Sequence, residues 1–184
     1  MPLTQLDPIP ALLIIDLQKG IVAYPLAHPT AEIVARSAEL ARAFRNRGLP
    51  VVLVNVTAPA PGRTNTPRPA LKFPADFAEL VPELDRQPTD YLISKQRVGA
   101  FIGTDLDAIL RKHGVTQVFL TGIATTAGVE ATARSAFDHG YNVVLVTDAM
   151  TDRDLEAHTW AIEKTLPRIG ETDTTANVLK VLRQ

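Results

Sequence analysis

An acidic residue directly after an unbroken apolar run is expensive to bury, and in this sequence Ala11–Ile15 runs straight into Asp16. A carboxylate in that position must be paired or protonated. A second short apolar run, Tyr91–Ile93, leads into Ser94 and Lys95, and Lys95 is a natural partner for Asp16. A carboxyl beside an ammonium can serve as a general acid when burial and charge tune its pKa. The same pair can equally be a structural salt bridge. A third run, Gln117–Leu120, continues through Thr121–Gly122–Ile123 into Ala124–Thr125–Thr126–Ala127–Gly128. Two glycines bracketing a strand-to-helix turn point to free N–H groups and a positive helix end, which suit a carboxylate or an oxyanion.

Other chemistries are excluded by residue type. None of the 184 residues is cysteine. The chain therefore has no disulfide, thiolate zinc site, iron–sulfur cluster or cysteine nucleophile. The formal charge of −1 lacks the basic excess that marks nucleic-acid binding. No glycine-rich nucleotide loop, nucleophile elbow or HExxH helix occurs. Of the four histidines, His113 and His139 fall at predicted helix ends and His158 is isolated, leaving His28 as the one that could reach a strand edge.

These residues need a scaffold that brings strand ends together, and the hydrophobic pattern supplies one. Apolar runs at Ala11–Ile15, Pro50–Val56, Tyr91–Ile93, Gln117–Leu120 and Asn142–Val146 read as strands covered on both faces. A weaker sixth strand falls near Arg168–Thr172. Helix-period segments alternate with them: Thr30–Arg47 with Thr30 as N-cap, a segment from Thr104 to Gly114, Ala127–His139, Arg153–Thr165 capped by Asp152, and Thr174–Leu182. Alternating strands and helices predict an α/β fold with a mostly parallel sheet. Ligands of such sheets bind outside the carboxyl ends of the strands, where Asp16, Lys95 and the Ala124–Gly128 turn are expected. The fifth strand is expected to end in Thr147 and Asp148. The segment Ala58–Pro74, with five prolines, is neither helix nor central strand and reads as a binding loop or a plain surface loop.

The length predicts one domain over residues 1–184. Met1–Pro10 lacks the basic start of a signal peptide, the apolar runs are too short to span a bilayer, and a cytoplasmic location is the default expectation.

Four segments together resemble the isochorismatase-like hydrolase superfamily, which includes the cysteine hydrolases: Ala11–Gln18, Ser94–Leu106, Thr121–Arg134 and Gly140–Ala149. The resemblance covers most of the chain. It implies a three-layer α/β/α, Rossmann-like architecture with about six strands, and a homodimer or homotetramer. It maps the family's catalytic aspartate and lysine onto Asp16 and Lys95 and its nucleophilic cysteine onto Gly128, with a cis peptide at Ile123–Ala124. The isochorismatases proper also carry glycine at that position and hydrolyse a vinyl ether, releasing pyruvate. The resemblance thus implies Asp16 as general acid, Lys95 as its orienting partner and carboxylate contact, and Gly128 as room for substrate. It further implies substrate contacts from Ala124, Thr125, Phe101 and Arg68, or less well Arg63. Two departures stand out: Ala124 replaces a tyrosine of those enzymes, and Pro59 stands roughly where they carry a glutamine. No metal and no cofactor are expected, because the nicotinamidase metal segment reads Asn55–Val56–Thr57 here. Three readings stay open: a non-covalent hydrolase of a small carboxylated substrate, an inactive member binding a small ligand or a partner, and a cysteine amidase whose nucleophile has been removed.

Overall fold

The computed structural model describes residues 2–65 and 73–183. Six strands form one sheet: β1 (Pro10–Ile15), β2 (Val51–Val56), β3 (Tyr91–Lys95), β4 (Gln117–Ile123), β5 (Asn142–Thr151) and β6 (Glu171–Asp173). Their order is β3-β2-β1-β4-β5-β6, and every pairing is parallel. The helices are α1 (Lys19–Val22), α2 (Thr30–Asn46), α3 (Leu106–Lys112), α4 (Glu130–Asp138), α5 (Leu155–Trp160) and α6 (Thr175–Leu182).

Side-chain alternation along β1 sorts the helices into two layers. Ala11, Leu13 and Ile15 face a core that includes Leu106 and Leu110 of α3 and Ala133 and Ala136 of α4. Leu12 and Ile14 face a second core with Ile33, Leu40 and Phe44 of α2 and Val178 and Leu182 of α6. A strand buried on both faces has no polar positions to spare, which is why β1 reads as an unbroken apolar run. The expected three-layer α/β/α architecture is what the chain adopts. Among the described residues, no helix is long and apolar enough to cross a membrane.

Three local expectations are corrected. Pro29, not Thr30, sits at the N-cap of α2 and offers no side-chain bond. Asp154, not Asp152, caps α5, its carboxylate accepting from the N–H groups of Glu156 and Ala157. The helix after β4 opens with a π-helical turn, Thr125–Val129, before α4 begins at Glu130.

The fourth correction moves residues at the ligand edge. β5 does not end at Asp148. It pairs Leu145 with Leu120, bulges, and resumes with Met150 beside Gly122. The bulge turns Asp148 toward α6, where its carboxylate accepts from the N–H and hydroxyl of Thr175 at 2.7 and 2.9 Å. The strand therefore carries Asp152 and Arg153, rather than Thr147 and Asp148, to the carboxyl edge.

The strand order reverses between β1 and β4, the kind of switch point where open α/β sheets bind ligands. There β4 must lie tightly against β1. Gly122 has a φ of +113°, and a Cβ on it would collide with the carbonyl oxygen of Ile15. Gly122→Ala is expected to cost about 3 kcal/mol or more of folding stability. Gly62→Ala, at a site with open space around it, should stay within about 0.5 kcal/mol. Denaturant titration of the two variants measures the difference.

Candidate active site

Asp16 follows directly on the last residue of β1. Its φ of 54° lies in the left-handed region, which aspartate tolerates better than branched residues do. Its backbone N–H still completes the sheet by donating to Val54. Next in the chain, Gln18 ties the neighbouring strand end in place. Its Nε2 donates to the Val56 and Phe77 carbonyls, and its Oε1 accepts from the Val56 N–H at 2.7 Å.

Lys95 closes β3, two strands away, and reaches back to Asp16. Its Nζ donates to Asp16 Oδ2 at 2.7 Å. The two residues are only 2% and 6% exposed. The other oxygen, Asp16 Oδ1, is buried with no hydrogen-bond partner among the described residues. Burial pushes the Asp16 pKa up, the charge and hydrogen bond of Lys95 pull it down, and burial wins, leaving it at about 6. Lys95 alone would hold the carboxyl ionised, as in an ordinary salt bridge. Here burial keeps the proton bound to higher pH than in an ordinary aspartate.

Gly128 lies in the π-helical turn beyond the cis peptide Ile123–Ala124. A Cβ built on it would sit 3.1 Å from Asp16 Oδ2 and 3.0 Å from Ile15 Cγ2. A side chain at this position would therefore touch the carboxyl group, and glycine leaves that space open. Asp16, Lys95, Ala124, Ala127 and Gly128 line one cavity of about 500 Å³. Its other walls come from Tyr24 and Leu26, from Ala58–Ala60 of the proline-rich segment, and from Arg97, Val98 and Arg153.

The cavity is cationic although the chain is not. Three basic residues line it against one acid. No carboxylate pairs with Arg97 or Arg153 among the described residues. Arg97 donates to the Gln96 carbonyl, and the Arg153 guanidinium stacks 4.0 Å above the Tyr24 ring, an arrangement that holds a cation without neutralising it.

Two expected substrate contacts lie elsewhere. Phe101 is buried in the core, its ring stacked on His139 at 5.1 Å and near Tyr141. Thr125 is buried behind the turn with its hydroxyl 2.8 Å from His158 Nδ1. Arg68 lies outside the described residues, and Arg63 is exposed. Pro59, at the position of the missing glutamine, does line the cavity. The sequence reading missed Arg153, because it placed the end of β5 too early. It also missed His158, an isolated histidine whose partners come from other segments.

Comparison with known proteins identifies the family and the fold. Residues 10–177 match the isochorismatase domain. The chain belongs to the isochorismatase family. It is 41% identical over 180 residues to the isochorismatase family protein YwoC of Bacillus subtilis, covering 94% of each chain. An isochorismatase family protein from Burkholderia thailandensis superposes with a TM-score of 0.93 at 41% identity, covering 97% of this chain and 98% of that one. The N-carbamoylsarcosine amidase of Thermoplasma acidophilum is more distant, at 27% identity and a TM-score of 0.73, over 91% of this chain and 96% of that one.

The raised pKa of Asp16 has a consequence for stability. Folding raises it from 3.8 to about 6, so the folded state binds the proton more tightly than the unfolded state. The resulting stabilisation is complete below pH 3.8 and is lost as pH rises through about 6. Wild-type protein should therefore lose stability relative to Asp16→Asn as pH rises across that window. Chemical denaturation of both proteins at several pH values measures the changing gap. Lys95→Met should move the Asp16 midpoint further up, read from its carboxyl-carbon NMR shift.

Proposed function

We propose that this chain hydrolyses a small carboxylated substrate without a covalent intermediate, with a vinyl ether as the bond cleaved and Asp16 as general acid. The observation that carries the reading is the Asp16 carboxyl itself: buried, half unpartnered, held near pKa 6, and facing the space that Gly128 leaves open. A general acid works best with a pKa close to the working pH, and a carboxyl with this value holds a usable proton at neutral pH.

The chemistry follows from that proton. Asp16 protonates the terminal vinyl carbon, and the electron pair of the double bond forms the new C–H bond. Positive charge develops on the ether carbon and its oxygen as an oxocarbenium ion. The Asp16 carboxylate left behind stabilises it. Water adds to the cation, and the Asp16 carboxylate takes up the proton released. Collapse of the hemiketal gives pyruvate and an alcohol. Lys95 keeps Asp16 in position throughout and offers its charge to the substrate carboxylate. The guanidiniums of Arg97 and Arg153, which meet no carboxylate among the described residues, favour an anion in the cavity. No step needs a thiol, which this chain lacks.

Purified protein is expected to release pyruvate from isochorismate, with kcat/KM rising as pH falls through about 6. Asp16→Asn should abolish the release while the protein stays folded. Gly128→Ala places a methyl group against the Asp16 carboxyl and should lower kcat/KM at least about tenfold, the equivalent of ~1.4 kcal/mol. A coupled pyruvate assay reads all three proteins. No pyruvate above background at high enzyme concentration would sink the vinyl-ether reading. Saturable anion binding without turnover would then mark a binding protein.

A further inference from the structure

The turn that carries Gly128 is held from behind by groups that the proposed chemistry does not use. Thr125 Oγ1 lies 2.8 Å from His158 Nδ1. The His158 ring stands 4.7 Å from the His28 ring, tilted by 58°. His28 Nδ1 in turn lies 2.9 Å from Thr151 Oγ1. Alongside this chain of contacts, the Ala27 N–H donates to the Asp152 carbonyl, and Thr126 donates its N–H and hydroxyl to Asp152 Oδ2, both at 2.8 Å.

Three segments meet at this histidine pair, and each continues into a wall of the cavity. The segment leading to His28 supplies Tyr24 and Leu26, the turn holding Thr125 supplies Ala124, Ala127 and Gly128, and the end of β5 supplies Arg153. Neither histidine lines the cavity itself. We propose that His158 is a positioning residue that, while neutral, holds the Ala124–Gly128 turn through Thr125, and that its protonation loosens the turn. The inference borrows from the proposed function only the purpose of the turn.

The surroundings favour the neutral form. His158 is 6% exposed, and burial followed by the neighbouring His28 pushes its pKa below the ordinary 6.5, while Asp152 pulls the other way. These are the titratable groups facing the ring from the segment before α2 and from the end of β5. On its own helix, the Asp154 carboxylate is occupied by the N–H groups it caps. Charge on the buried His158 ring is disfavoured by burial and by the ring of His28 at 4.7 Å, so the triple junction is at its tightest while His158 is neutral.

The test needs no turnover, so its outcome is separate from that of the pyruvate assay. In Asp16→Asn protein the nearby carboxyl no longer titrates, and histidine ring and backbone amide NMR shifts are followed from about pH 8 to about pH 5. His158 should titrate below 6.5, and the amides of Thr125, Ala127 and Gly128 should move with the same midpoint. Adding His158→Asn, which keeps a hydrogen-bonding group near the Nδ1 position, should leave those amides at their high-pH shifts and remove their pH dependence. Adding His158→Leu instead should displace them at every pH. Turn amides that ignore the His158 titration overturn the proposal, as does an unchanged midpoint after His158→Asn. Should either double variant fail to fold, the Asp16→Asn titration alone decides.

Discussion

The site depends on a contest between two effects on one carboxyl group. Burial at the end of β1 disfavours the Asp16 charge, and the Lys95 ammonium at 2.7 Å favours it. Neither effect alone would give a usable acid. Exposure would leave an ordinary aspartate, ionised at neutral pH, and complete burial without Lys95 would hold the proton too tightly to give up. The contest requires that Lys95 reach from the edge strand β3 across to the switch point, so β2, which separates β1 from β3, must hold its register. Gln18 fixes that strand end through two hydrogen bonds to Val56 and a third to the Phe77 carbonyl. A buried ion pair of this kind is weak as a stability device. Its persistence here is better understood through the charge state it sets.

The sheet and both helix layers were legible because their physics is local. Strands buried on two faces must be continuously apolar, helices packed on one face must repeat at helical spacing, and both patterns survive in the residue order. Asp16 and Lys95 were legible for the same reason, as polar residues terminating apolar runs. The parts that escaped depend on contacts between distant segments. The bulge in β5 accompanies the bonding of Asp148 to Thr175 on a distant helix, and nothing near Asp148 announces it. That one bulge moves the strand end by several residues, and with it Arg153 comes to the cavity in place of Thr147. His158 is similar: its partners, Thr125 and His28, lie 33 and 130 positions away in the chain.

Phe101 shows the opposite limit. It belongs to a segment that carries the family resemblance, yet its ring is buried in the core and stacks on the exposed His139. A residue can thus be kept in a motif for packing rather than for contact with ligand. Thr125 differs again, because it serves the cavity through the turn that it anchors.

The absence of cysteine from the chain also changes what can damage the protein. Thiolate nucleophiles stay reactive toward peroxide and alkylating reagents because their chemistry requires an exposed, electron-rich sulfur. The cavity here is bounded by a carboxyl, an ammonium, guanidiniums and apolar groups, none of which climbs the sulfur oxidation ladder. Oxidants that silence a cysteine hydrolase at its nucleophile therefore find no such target in this fold, and whatever chemistry the site performs is uncoupled from the thiol balance of its surroundings.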